Sequence, residues 1–393
     1  MKKLNIAMAQ IAPTVGDIAG NITLIRGAYV EAAQLGADLV VCPELIVCGY
    51  PPEDLVRKGS FQRACMAAVE ELALITQNGP GLIIGAPWIE DQTWGAKPYN
   101  GAILLDEGEI TAIRYKQCLP NYGVFDEPRR FSAGGKTAPV MFRGVDIGLM
   151  VCEDMWLPET AASLKKQEAK FFIVPHGSPY RETAHAERFA AAEARVEETG
   201  LPVIFVNQVG GQDELIFDGA AFVLDGKKRY TAPAFATGIY LTKWQETATG
   251  WTCVEGPQAK MPDRLEQVYQ AVTRGVRDYV NKNHFKSVII GLSGGVDSAL
   301  TAAIAVDALG ADRVHCVMMP SRYTAGDSVT DAEACAKMLG VQYQSIAIKQ
   351  AVEAFGEMLA PVFDGLEPDV TEENIQSRVR GVLLMALSNK FGH

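Results

Sequence analysis

The chain has 393 residues, 48% of them hydrophobic, which is enough for real cores and calls for two domains or one large domain plus a smaller one. Its formal charge of -11 argues against bulk binding to nucleic acid, which depends on Lys and Arg neutralising phosphates, but leaves room for a local basic pocket. No apolar run reaches the ~18–20 residues of a bilayer span, and Met1-Lys2-Lys3 leads directly into an apolar stretch that reads as a first strand, not a signal peptide, so a cytoplasmic protein without membrane partners is expected.

Short β-rich apolar runs alternate with Ala-rich stretches through residue 225. Strands are predicted at 4–9, 39–42, 81–86, 101–105, 145–151, 171–174, 203–206 and 220–223. Helices are predicted at 21–35, 61–76, 158–167 and 182–199, the last closed by Gly200-Leu201-Pro202. The strands are apolar throughout and helices separate only some of them. This predicts a sheet covered by helices on one face and by a second sheet on the other.

From 226 to 262 the pattern loosens into polar, Gly- and Thr-containing sequence with Trp244 and Trp251, read as a connecting segment. A helix follows at 263–282, then a strand at 287–292, a Gly-rich turn, a helix at 298–309, a strand at 314–319, a helix at 331–339 and a strand at 343–348. That alternation predicts a parallel, doubly wound sheet. The expected division is therefore 1–225, a connection at 226–262, and 263–393.

Eight cysteines are scattered without a CxxC pair or zinc-like spacing to histidine, so most are expected to be buried thiols. Cys152 differs, because it ends an apolar strand and enters a turn at Glu153-Asp154. The usual activator would be histidine; of five, only His176 and His185 lie near this turn, so a carboxylate base is the alternative. Glu44 offers one, where the strand ending at Cys42-Pro43 meets a carboxylate suited to proton abstraction once partly buried. Lys116 also sits at a strand exit, where an ammonium would favour a thiolate and hold an oxyanion.

Together these residues resemble the nitrilase superfamily of carbon–nitrogen hydrolases. The matching pieces are Pro43-Glu44, Tyr115-Lys116-Gln117-Cys118-Leu119-Pro120, Gly123-Val124-Phe125-Asp126-Glu127-Pro128-Arg129 and Val151-Cys152-Glu153-Asp154-Met155-Trp156. The resemblance implies an α-β-β-α sandwich and an amidase in which Glu44 takes the thiol proton, Cys152 attacks a carboxamide and Lys116 holds the oxyanion. It further implies that Glu127 positions Lys116, and that the domain self-associates, at least as a dimer. If glutamine is the substrate, Tyr122, Glu153, Ser178 and Arg181 are the candidates for gripping its α-amino and α-carboxylate ends, with Arg188 the alternative to Arg181.

A second constellation follows the strand at 287–292. Ser293-Gly294-Gly295-Val296-Asp297-Ser298 has glycines that let backbone N–H groups approach an anion, ahead of a helix whose positive dipole end adds to the attraction. Ser293 and Ser298 can donate to phosphate oxygens, and Asp297 suits Mg²⁺. The Walker A ending is absent. The pattern resembles the pyrophosphate loop of N-type ATP pyrophosphatases, which implies ATP cleavage to AMP and pyrophosphate in a Rossmann-like domain of the adenine nucleotide alpha hydrolase type. Met319-Pro320-Ser321-Arg322-Tyr323-Thr324 and Thr371-Glu372-Glu373-Asn374-Ile375-Gln376-Ser377-Arg378-Val379-Arg380 resemble NAD synthetases. This implies deamido-NAD as acceptor, with Arg322, Glu373, Asn374, Arg378 and Arg380 as contacts.

A nitrilase-type glutaminase ahead of such a loop is the arrangement of the glutamine-dependent NAD synthetase family, in which ammonia passes internally from one site to the other. Compared with that family the chain stops early, at Lys390-Phe391-Gly392-His393. This leads to the expectation of an incomplete synthetase domain in which only the glutaminase half works. The alternative expectation is an amidase for another amide with a non-functional C-terminal part.

Overall fold

The computed structural model describes residues 1–90 and 96–393. Its first strand, β1 (Lys3–Gln10), shows the logic of the first unit, Met1–Ala271. Ile6 and Met8 point to one face and Ala7 and Ala9 to the other, and all are buried, so the strand needs cover on both sides.

In chain order there follow α1 (Ile18–Gln34), β2 (Leu39–Val41), α2 (Gly59–Ala73), β3 (Gly81–Trp88), β4 (Tyr99–Asp106), β5 (Glu109–Tyr115) and the short α3 (Glu127–Arg130). Next come β6 (Val140–Phe142), β7 (Val145–Leu149), α4 (Pro158–Lys166), β8 (Phe171–His176), α5 (Ala184–Thr199) and β9 (Val203–Asn207). The unit continues with the hairpin β10 (Val209–Gln212) and β11 (Leu215–Asp218), then β12 (Phe222–Asp225), β13 (Lys228–Thr231), β14 (Gly238–Thr247) and β15 (Gly250–Glu255).

These strands build a seven-stranded sheet, β15-β14-β1-β2-β3-β4-β5, and a six-stranded sheet, β13-β12-β9-β8-β7-β6. Between the sheets, Ile6, Met8, Val41, Ile83 and Leu104 meet Ile147, Leu149, Phe171, Ile173, Ile204 and Val223. Outside the first sheet, Ala7, Val40, Leu82 and Ile84 pack on Ile25, Ala32, Val69 and Leu72 of α1 and α2. Outside the second, Phe172, Val174, Phe205 and Phe222 pack on Leu164, Phe189, Ala192 and Val196 of α4 and α5. The layers are helix, sheet, sheet, helix, as the resemblance implied.

The segment 226–262, expected as a connection, is different. β14 pairs antiparallel with β1 over its whole length, from Lys3 opposite Gln245 to Gln10 opposite Gly238. β15 pairs with β14, and β13 with β12. The polar look arises because Lys243 and its like face outward while Trp244 and Trp251 enter the inter-sheet core, where Phe171 stacks on Trp244 at 5.2 Å between ring centroids. β5, β6, β10 and β11 are also additions to the expected strands.

α6 (Arg264–Lys282) runs into the second unit, Val272–His393. There β16 (Val288–Gly291), α7 (Val296–Leu309), β17 (Val314–Met318), α8 (Gly326–Leu339), β18 (Gln342–Ser345), α9 (Lys349–Leu359) and α10 (Val370–Phe391) follow. The three strands form a parallel sheet in sequence order. Ala302, Ala305, Ala332 and Ala336 of α7 and α8 cover one face against Val314, Cys316 and Met318. Val352, Ile375, Val379 and Leu384 of α9 and α10 cover the other against Ile289 and Val317. The sheet is doubly wound as predicted. α9 is new, and α8 begins five residues before the expected start because Gly326-Asp327 opens the helix instead of ending a turn. Among the described residues no helix is long and apolar enough to cross a membrane.

Candidate active site

Cys152 stands where β7 has ended and a single turn of 3₁₀ helix, Cys152–Met155, begins. Its φ of +47° lies in the left-handed region, which costs a non-glycine residue on the order of 1 kcal/mol or more. Asp154 holds the turn. Its carboxylate accepts from the backbone N–H of Val151 at 3.1 Å and from those of Gln117 and Cys118 at 2.9 Å each. One buried carboxylate therefore fixes the cysteine turn and the chain leaving β5 to each other.

That chain carries Lys116, whose side chain is fully buried. Its Nζ donates to Glu44 Oε1 and to Glu127 Oε1, each at 2.8 Å. Glu44 follows β2, and the next residue, Leu45, also has positive φ. β3 passes so close to this turn that a Cβ on Gly85 would lie 2.1 Å from the Leu45 nitrogen, so only glycine fits there. Glu127 opens α3. Two further residues complete the network: Asn100 Nδ2 donates to Glu44 Oε1 at 2.7 Å, and the Tyr50 hydroxyl donates to Glu127 Oε1 at 2.9 Å.

Glu44 Oε2 and Glu127 Oε2 have no hydrogen-bond partner among the described residues. The Cys152 Sγ, a Glu44 carboxylate oxygen and a His176 ring nitrogen all lie within 4.8 Å of one another. His176 packs on Phe205 with ring centroids 4.6 Å apart, and neither of its nitrogens has a partner among the described residues.

Burial pushes the Cys152 thiol well above its ordinary pKa, with Glu44 adding to the rise and Lys116 opposing it. The resting nucleophile is a thiol. Burial works against the Lys116 charge, but Cys152 once ionised, and the Glu127 and Glu44 carboxylates, more than offset it and raise its pKa well above the usual value. Burial lifts Glu127 to about 7 despite the pull of Lys116, with Glu44 raising it further. Burial, Arg188 and Lys116 push His176 well below its usual value, so its ring is neutral at pH 7. A thiol beside a carboxylate with a free oxygen, and a fixed ammonium opposite, is equipped for base-assisted attack on a polarised carbonyl.

The residues expected to grip a substrate's ends behave differently from one another. The Tyr122 hydroxyl donates to the Glu153 carboxylate at 3.0–3.1 Å, and Tyr122 is 55% exposed, so the pair forms an open rim beside the nucleophile turn. Ser178 is held by its N–H to Asn207 Oδ1 at 2.9 Å and accepts from Arg188 Nε at 3.0 Å. Arg188 is buried and clamps Asp218 at 2.7 and 2.9 Å, so it fixes the Ser178 loop and is not free. Arg181 has an exposed side chain and pairs with Glu187 at 2.6 Å.

In the second unit, Ser293 to Ser298 connect β16 to α7 through reciprocal serine contacts, Oγ to Oγ at 3.0 Å and Ser293 N–H to Ser298 Oγ at 3.1 Å. Gly294 has φ +84°, and a Cβ there would lie 2.2 Å from the Ser328 carbonyl oxygen. Val296 and Asp297 begin the helix. Glu373 and Arg380 line a cleft of about 720 Å³ with Ser321, Tyr323 and Thr324, and Arg380 Nε donates to the Met319 carbonyl at 3.1 Å. Arg322 lines the neighbouring cleft and lies over the Tyr323 ring, 4.6 Å from its centroid. Arg378 instead faces the apolar groove between α9 and α10 and donates to the Asn374 carbonyl at 3.3 Å.

Two family models match the chain: carbon-nitrogen hydrolase over residues 5–258 and NAD synthase over residues 268–393. A glutamine-dependent NAD(+) synthetase from Rhodobacter capsulatus is 44% identical over 392 residues, 99% of this chain and 70% of that protein. This chain belongs to the glutamine-dependent NAD(+) synthetase family. The solved structure of such a synthetase from Acinetobacter baumannii, in complex with ADP, superposes with a TM-score of 0.92 at 37% identity, covering 100% of this chain and 74% of that one. An amidase from Nesterenkonia sp. AN1, carrying a fluoroacetamide-derived group on its active-site cysteine, matches with a TM-score of 0.54 at 27% identity over 61% of this chain and 88% of that one. As a member of the family the chain is a ligase. The expectation of a glutaminase half alone is corrected, because residues 268–393 match the NAD synthase model beside the carbon-nitrogen hydrolase one.

Asn100 and Tyr50 escape the sequence reading, and Asp154 enters it only as one of the acidic pair after Cys152, not as the cap of its turn. For Asp154 a signal existed, since a carboxylate two residues after the nucleophile can cap its turn. Tyr50 and Asn100 reach the site only through tertiary packing.

Proposed function

We propose that the chain hydrolyses glutamine at Cys152 and uses the ammonia to amidate deamido-NAD, with ATP converted to AMP and pyrophosphate. The observation that carries the first half is the buried Lys116 ammonium shared by Glu44 and Glu127 beside the strained Cys152 turn. Glu44 takes the thiol proton as sulfur attacks the carboxamide carbon. Lys116 and the Glu153 backbone N–H hold the oxyanion. Glu44 returns the proton to the departing amine, ammonia leaves, and a thioester remains. Water, deprotonated by Glu44, then releases glutamate and restores the thiol. Glu127 positions the lysine.

Arg181, Ser178 and the Tyr122–Glu153 pair would grip the α-carboxylate and α-amino ends. Arg181 suits this better than Arg188, because an exposed ion pair is worth only ~0–1 kcal/mol and exchanges readily for a substrate carboxylate. A buried bidentate pair does not.

In the domain we assign to 263–393, after a glutaminase domain that includes 1–225, the 293–298 loop would hold ATP phosphates. Asp297 would be one ligand of Mg²⁺, which takes few protein carboxylates and completes its shell with phosphate and water oxygens. The deamido-NAD carboxylate attacks the α-phosphorus, pyrophosphate leaves, and ammonia displaces AMP. Arg322, Glu373, Asn374 and Arg380 are the proposed contacts, with Arg378 reaching the substrate only if α10 presents its other face. Self-association through the first domain, as a dimer or larger, rests on the nitrilase resemblance and is read by light scattering. An amidase for some other amide has no observation in its favour.

The test is ammonia release from glutamine with and without ATP and deamido-NAD. The proposal expects release that Cys152→Ala abolishes and that the two synthetase substrates stimulate. Release indifferent to Cys152, or confined to another amide, contradicts it.

A further inference from the structure

His176 is the buried group that the reaction leaves unused. It ends β8, its side chain is closed off from solvent, and both ring nitrogens lack partners among the described residues. A buried imidazole normally spends at least one nitrogen on a hydrogen bond. Here a ring nitrogen lies within 4.8 Å of both the nucleophile and the base. Glu44 adds a third unsatisfied atom, Oε2, because its Oε1 alone takes both Lys116 and Asn100. Three buried donors of sulfur, nitrogen and oxygen type thus converge within 4.8 Å.

We propose that Glu44, Cys152 and His176 form a site for a soft divalent cation of the zinc class, and that the bound ion closes the amidase site reversibly. The donor set selects the ion. Thiolate, imidazole and a single carboxylate suit Zn²⁺, whereas Mg²⁺ and Ca²⁺ want an all-oxygen shell. A tetrahedral ion with bonds of ~2.0–2.3 Å places its ligand atoms about 3.3–3.8 Å apart, so a contraction of no more than about 1–1.5 Å seats it. The fourth position is left to water.

Charge also closes. Zn²⁺ and the Lys116 ammonium together balance a Cys152 thiolate and the Glu44 and Glu127 carboxylates. Lys116 contacts Glu44 through Oε1, leaving Oε2 for the ion. Binding replaces the S–H bond with a Zn–S bond, and the proton goes to solvent. With sulfur and Glu44 Oε2 both occupied, neither attack nor proton abstraction can occur. The inhibitory consequence rests on the Cys152 mechanism above; the binding itself does not.

The experiment uses the full chain with Zn²⁺ or Co²⁺ as probes. Co²⁺ is expected to give a thiolate-to-metal charge-transfer band that Cys152→Ala removes, and Zn²⁺ to inhibit glutamine hydrolysis in a way that EDTA reverses. His176→Gln is expected to keep hydrolysis while weakening Zn²⁺ inhibition at least tenfold. X-ray absorption of the Zn²⁺-loaded wild type, which needs no variant to fold, is expected to show one sulfur and imidazole scattering. The proposal is overturned by a wild type without the charge-transfer band, by absence of imidazole scattering, or by unchanged Zn²⁺ inhibition in His176→Gln, which would leave His176 a packed core residue against Phe205. A metal band without any glutamine hydrolysis would sink the glutaminase reading and leave the metal site standing.

Discussion

Lys116 Nζ lies 2.8 Å from Glu44 Oε1, and both side chains are completely closed off from solvent. The ammonium occupies one oxygen of the base and leaves the other free. It also shares its charge with Glu127, so removing the lysine strands two buried carboxylates, whereas removing one glutamate leaves a one-to-one pair. The first predictions follow from this arrangement.

Glu44→Gln keeps the Asn100 contact possible but removes the base. Glutamine hydrolysis is expected to fall by ~10²–10⁴, the usual contribution of a positioned base. Burial is the main reason the Cys152 thiol is hard to ionise, and Glu44 is the next. The variant should therefore be alkylated by iodoacetamide at lower pH than the wild type while hydrolysing less. Parallel changes in alkylation and hydrolysis would contradict a base role.

Lys116→Met leaves two buried carboxylates facing one another. Breaking a buried pair costs ~3–5 kcal/mol, so urea unfolding should show a loss of that order. Adding Glu127→Gln removes one of the stranded charges and should recover much of that stability. Activity should stay absent in both, because the oxyanion has lost its cation.

Glu127 supplies a pH signature. Its pKa rises on folding to about 7, first through burial and despite Lys116. A raised carboxyl binds its proton more tightly in the folded state, so its contribution to stability is greatest below the unfolded pKa and is lost as pH rises through about 7. The Tm difference between wild type and Glu127→Gln should therefore drift against the wild type across that window. A difference independent of pH would contradict the shift.

Arg181→Ala and Arg188→Ala separate binding from scaffolding. Arg181→Ala should raise the KM for glutamine and leave Tm within about 1 °C, because its ion pair with Glu187 is exposed. Arg188→Ala should lower Tm strongly by stranding buried Asp218. The reverse ranking would return Arg188 to the substrate.

Much of the fold was legible because its strands are apolar on both faces. Ile6 and Met8 against Ala7 and Ala9 announce a strand buried between layers. β14 was not legible: its exposed face carries Lys243, and its place beside β1 depends on a long-range ladder. In the site, Glu44, Lys116 and Cys152 were readable through their motifs. Asn100 and Tyr50 were not, because a buried Asn or Tyr looks the same in sequence whether it serves packing or a carboxylate. Arg188 and Arg181 were indistinguishable until burial separated them.

The central claim is that Cys152 carries the covalent chemistry on a glutamine-shaped substrate. Mass spectrometry of peptides from the chain treated with a diazoketone analogue of glutamine tests it directly. The account predicts one adduct, on the Cys152 peptide, prevented by excess glutamine and absent in Cys152→Ala under the same exposure. An adduct on another of the free cysteines, or none on Cys152 where glutamine is being hydrolysed, would contradict it.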